Sequence, residues 1–160
     1  MIIIIETVIL CIAFFLICFW GTGTDNKNLK SYSSYPDEVQ NRIKSIAEYQ
    51  GKFKESNKVV TFTSNFLLFL FVLFILGLFI KENGFTHNFL CLSIIGQGLN
   101  IFDLFIVDLL WWRNTKRVRL RKMPEKELYQ NPKKHIEAFI RAFIMYLLIA
   151  LIDGYILTLL

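Results

Sequence analysis

Apolar positions along this chain gather into four long runs, residues 2–20, 59–80, 89–112 and 136–160, separated by polar stretches. Each run reaches the roughly 20 residues that a helix needs to cross the hydrocarbon of a bilayer. The pattern predicts an all-α, polytopic membrane protein, a four-transmembrane-helix bundle forming one membrane domain over residues 1–160. The first run lacks a basic leader and a small-residue cleavage site, so it is read as a membrane helix and not as a signal peptide.

Within the runs, the few polar positions carry the information. Glu6 shares a helical face with Leu10, Ala13, Ile17 and Trp20, and two readings stand for it: the headgroup level beside the N-terminus, or the inside of the bundle. The second run is apolar on all sides, as a helix facing lipid is. Its one strongly polar interior residue, Asn65, is expected to face another helix. The short link 81–88 contains Asn83-Gly84, which makes the second and third helices antiparallel neighbours.

The third run is the most burdened, with Gln97, Asn100, Asp103 and Asp108 inside its length. About fourteen strongly apolar residues at roughly −0.5 kcal/mol each favour insertion by about 7 kcal/mol, against about 3 for a central Asp. With the amides added, this helix is marginal alone and must be an inner one.

The polar stretch 21–58 contains its own helical signal. Ser34, Pro36, Asp37 and Glu38 form a start with a capping hydroxyl, a first-turn proline and acids at the positive end of the dipole. Val39, Ile43, Ile46 and Phe53 then recur on one side, with bases elsewhere. This predicts an amphipathic cytoplasmic loop helix lying on the membrane surface, its bases towards anionic lipid, with a docked partner as the other reading.

Composition agrees with the pattern: 54% hydrophobic residues, 16% aromatic residues and a mean hydropathy of +0.46 belong to a membrane protein. The net charge of +5 would suggest nucleic acid in a soluble protein, but its distribution points elsewhere and no nucleic-acid partner is expected. Of 18 Lys and Arg, 16 lie in the stretches 21–58 and 113–135; the latter holds nine bases against two acids. The positive-inside rule places both long loops in the cytoplasm and both termini outside, and Trp111-Trp112-Arg113 reads as an aromatic belt at the cytoplasmic boundary. Lys116, Arg117, Arg119, Arg121, Lys122, Lys133, Lys134 and His135 are the expected contacts to anionic lipid headgroups. Cys11, Cys18 and Cys91 form no CxxC pair and read as small hydrophobes.

Depth along the helices suggests which polar groups meet. At roughly 1.5 Å per residue, Asp108 and Arg141 both lie about 6 Å inside the cytoplasmic boundary, and Asp103 and Tyr146 about 13 Å inside. Asp108–Arg141 and Asp103–Tyr146 are the expected pairs, with Asn65 at an intermediate depth. Asp153 falls in the outer half near the level of Gln97, on a stripe with Ala138, Ala142, Met145 and Ile149. A buried pair can serve only to fix helix orientation, whereas ladders of intramembrane acids also relay protons or cations. Asp103 is the better candidate for a relay, because its expected partner is neutral.

No HExxH, GxSxG or P-loop motif occurs, and no cofactor or metal is expected. In a regular α-helix Asp103 and Asp108, five apart, lie about 140° from each other and would not chelate one ion. With both long loops cytoplasmic, His87 and His135 are expected on opposite sides of the membrane and so would not share one ion.

The segments LWWRNTKRVR (110–119) and YQNPKKHIEAFIRAF (129–143) resemble a group of small four-span bacterial membrane proteins of no assigned activity, some labelled ABC-transporter permeases. The resemblance implies bacterial origin and a compact helical bundle. The expectation is a multi-pass protein of the cell membrane, transport-related or an accessory subunit, working as a homo-oligomer or in a larger membrane complex. The alternative is a membrane-embedded enzyme or binding protein acting on an anionic lipid.

Overall fold

The structure is a computed structural model that describes residues 1–55 and 57–160, and no strand occurs among them. Four helices are long and apolar enough to span a membrane. In chain order the α-helices are α1 (Ile2–Trp20), the short α2 (Asp25–Asn28), α3 (Asp37–Ser45), α4 (Lys58–Ile80), α5 (Phe85–Phe102) and α6 (Lys133–Thr158). Past Phe102, α5 changes hydrogen-bonding pattern and continues as a π-helix over Asp103–Trp112.

The chain forms two compact units. The first comprises Met1–Ala13, Asn57–Phe102 and Phe139–Leu160; the second comprises Phe14–Ser56 and Asp103–Ala138.

In the first unit, α4 and α5 pack as the antiparallel neighbours their short link requires. Asn88 fastens that link: its amide accepts from Glu82 N at 2.8 Å and donates to Glu82 O at 2.9 Å. Small residues let α5 and α6 approach closely, as in other membrane helix pairs. Gly96 lies against the Tyr146 ring, and a Cβ on Gly154 would stand 3.1 Å from the Phe89 nitrogen. Leu73, Leu92, Ile95, Leu99, Ile149 and Leu157 fill the interior. By contrast, α4 buries only Leu73, Gly77 and Ile80, in keeping with its all-round apolar sequence. Asn65 is exposed, so the expectation that it faces another helix of this chain fails.

The second unit has a core of its own, and it overturns the lipid-surface reading of α3. Val39 and Ile43 are fully buried, packed in one cluster with Tyr35, Trp112, Leu120 and Tyr129. An apolar stripe on a helix must be covered by something. Here the two polar stretches of the chain cover each other, as Val118, Leu120 and Met123, threaded between the bases, supply the other half. Trp112 is likewise a core residue, 7% exposed, and not part of an interfacial belt. Ser34 does not cap α3: the helix begins at Asp37 with Pro36 at the cap position. Instead, Gln40 Nε2 donates to Tyr35 O at 2.8 Å and fastens the entry.

Arg117 ties this core to α1. Its guanidinium lies 3.9 Å from the Phe19 ring centroid and donates to Phe19 O and Thr22 O, satisfying carbonyls that the helix end leaves open. Gly23 faces that guanidinium at φ 108°, a conformation suited to glycine.

Candidate functional site

The site grows from the π-helical segment of the second unit. With i→i+5 bonding, exemplified by Arg113 N donating to Asp108 O at 3.3 Å, each residue sits nearly above the fifth one before it. Asp103 and Asp108 therefore lie on one side of the segment, and the 140° separation of a regular α-helix does not apply. Such irregular turns inside helices are frequent at functional sites.

The start of α6 supplies the third group. Asn131 accepts from Lys133 N at 3.0 Å, and Pro132 presets the helical φ. That start puts His135 in the first turn, where its Nδ1 lies 2.9 Å from Asp108 Oδ2. The imidazole is 5% exposed and the Asp108 side chain 15%. Trp112 meets the ring edge-on at 4.8 Å between centroids. Gln130 Nε2 donates to Arg113 O at 2.8 Å and holds the end of the π-segment against the chain entering α6.

Nε2 of His135 is buried and has no hydrogen-bond partner among the described residues. A carboxylate on one nitrogen orients the ring and leaves the other as the working atom. No hydroxyl or thiol of the described residues is bonded to it. Among the described residues no three His, Cys, Asp or Glu side chains are grouped to hold a metal ion.

The partner of Asp108 is thus His135 and not Arg141, which is exposed. Depth matching pointed to Arg141, but His135, six residues earlier and thus about 9 Å and 120° away along α6, is the residue that faces the carboxylate. Asp103 and Tyr146 belong to different units. Tyr146 is buried, its ring meeting Phe69 edge-on at 5.2 Å.

The remaining intramembrane polar residues lie in the first unit. Gln97 Nε2 donates to Phe143 O at 2.9 Å, and Asn100 Nδ2 donates to Phe139 O at 3.3 Å and Gln97 Oε1 at 3.4 Å. These amides hold α5 to α6. Asp153 is 1% exposed and Glu6 8%; each keeps one buried oxygen without a partner among the described residues.

Of the bases expected at headgroups, several have other employment. Arg117 caps α1, Arg119 donates to Asn114 O and Pro124 O, Lys122 pairs with Glu48 at 2.9 Å, Lys134 pairs with Asp37 at 2.7 Å, and His135 is buried. Lys116, Arg121 and Lys133 stay exposed and outside any ion pair among the described residues. The residue that sequence reasoning undervalued is His135, which stands beside lysines and reads as part of a cationic surface, yet is buried against Asp108. The sequence signal for it was its place one turn past Asn131-Pro132.

No family model, curated protein or solved structure matches this chain.

Proposed function

We propose that this chain is a small multi-pass membrane protein of a transport system, a transporter or its accessory subunit, in which Asp103, Asp108 and His135 relay protons. The observation that carries this reading is the π-segment, which brings both acids to one side and leaves Nε2 of the Asp108-bound imidazole unpaired. A proton taken up at Nε2 is matched by release of the Nδ1 proton to Asp108, and Asp103 is the next acid along the segment. Intramembrane acids and histidines in sequence are how membrane proteins move charge.

The distribution of Lys and Arg supports both long loops lying in the cytoplasm with the termini outside. Two hydrophobic units of this size leave little room for a path through one chain, and the exposed apolar faces of α1 and α4 suit an oligomer or a larger complex. The test is proton flux into liposomes holding the purified protein, followed with a trapped pH-sensitive dye. Asp103→Asn is expected to abolish protein-dependent flux, and unchanged flux in that variant removes the reading.

A further inference from the structure

The second unit has a groove between α1 and the π-segment, with a volume of about 500 Å³, lined by Phe15, Ile106, Leu110, Trp111, Asn114 and Thr115. That size is within the range of small-molecule sites, roughly 300–1,000 Å³. Its lining changes character along its length. Four residues are large and apolar, while Asn114 and Thr115 bring it to the loop, where Lys116 follows, exposed.

The polar end carries the positive charges of Lys116 and of Arg119, whose guanidinium donates only to the carbonyls of Asn114 and Pro124. Arg119 reaches Asn114 O with Nη2 at 3.3 Å, so its guanidinium sits at the groove's polar residues. The Nε of Arg119 is buried and has no hydrogen-bond partner among the described residues. Neither Lys116 nor Arg119 pairs with a carboxylate among those residues, whereas Lys44, Lys122 and Lys134 all do. An apolar channel in a segment long enough to span a membrane, ending at two unpaired bases, matches an acyl chain joined to an anionic head.

We propose that this groove is a binding site for one anionic phospholipid, with an acyl chain along Phe15, Ile106, Leu110 and Trp111 and the phosphate at Lys116 and Arg119. The site is separate from the proton-relay reading and uses none of its residues. It differs from a diffuse cationic surface in predicting one lipid per chain, selected by headgroup and held by shape.

The experiment is native mass spectrometry of the full chain in detergent, titrated with equal amounts of phosphatidylglycerol and phosphatidylcholine of the same acyl composition. One phosphatidylglycerol should be retained per chain, preferred about tenfold or more from two basic side chains at the headgroup. Lys116→Glu should bring that preference close to parity. Leu110→Trp should fill the groove and abolish retention of both lipids, and Ile106→Phe repeats the test at a second position should that variant fail to fold. Equal retention of the two lipids by the wild-type chain overturns the headgroup assignment, and full retention by a folded groove variant overturns the site.

Discussion

At the residue scale, the Asp108–His135 contact separates what depth along a helix can say from what rotation around it decides. Depth alone points to Arg141, yet the carboxylate meets the imidazole of His135, six residues or about 9 Å earlier along α6, while Arg141 is exposed. Removing one member of a buried polar pair strands the other without solvent, so His135→Ala should destabilise the protein by about 3 kcal/mol. Arg141→Ala, at an exposed position, should stay within about 0.5 kcal/mol. Thermal melting of the two variants in one detergent measures the difference; a larger effect at Arg141 would return that residue to the pair. Restoring an uncharged pair with Asp108→Asn in the His135→Ala background should recover part of the loss, because no carboxylate is then left buried.

At the scale of elements, close contacts and covered stripes decide the packing. The approach of α6 to α5 at Gly154 is against backbone atoms of Phe89, which cannot swing aside as a side chain would. Gly154→Val should therefore cost about 1–3 kcal/mol through overpacking, seen as a lowered melting temperature. The second unit makes a different prediction, because its core is rich in buried phenols. Tyr49 is pushed up to about 12 by burial and by the hydrogen bond it donates to Asp25 at 2.7 Å. Burial also drives Tyr35 upward, and its hydroxyl donates to Val118 O at 2.6 Å. A phenol whose folded value is raised contributes stability that is fully present below the unfolded value, about 10, and is lost as pH rises towards the folded value. Between pH 10 and 12 the second unit should weaken and open, with Tyr49 and Tyr35 ionising later than exposed phenols. Phenolate absorbance against pH follows this, and full ionisation of all tyrosines near pH 10 in the folded protein would contradict it.

For the whole molecule, whose four long apolar helices could span a bilayer, charge distribution makes the prediction. Nine bases in the stretch 113–135 are costly to translocate, so a cysteine at Lys126, which is exposed, should resist an impermeant maleimide in intact cells. The same Lys126→Cys chain, in a background without its three native cysteines, should react in inverted vesicles. Labelling from outside in intact cells reverses the topology.

The sequence by itself determined the four long apolar helices, the antiparallel α4–α5 neighbours and the concentration of polar groups in the third helix. These follow from local physics: periodicity, length and the cost of burying charge act on each segment wherever it ends up. Tertiary structure alone decided which faces meet. The stripe of α3 was legible as apolar, yet a stripe does not name its cover, and the alternation of Val118 and Leu120 with arginines was masked by the charge. The side-by-side placement of Asp103 and Asp108 depends on a π-helical stretch that no residue spacing announces. His135 became a buried partner of Asp108 for the same reason: rotation about a helix axis is set by packing, and packing is a property of the assembled chain.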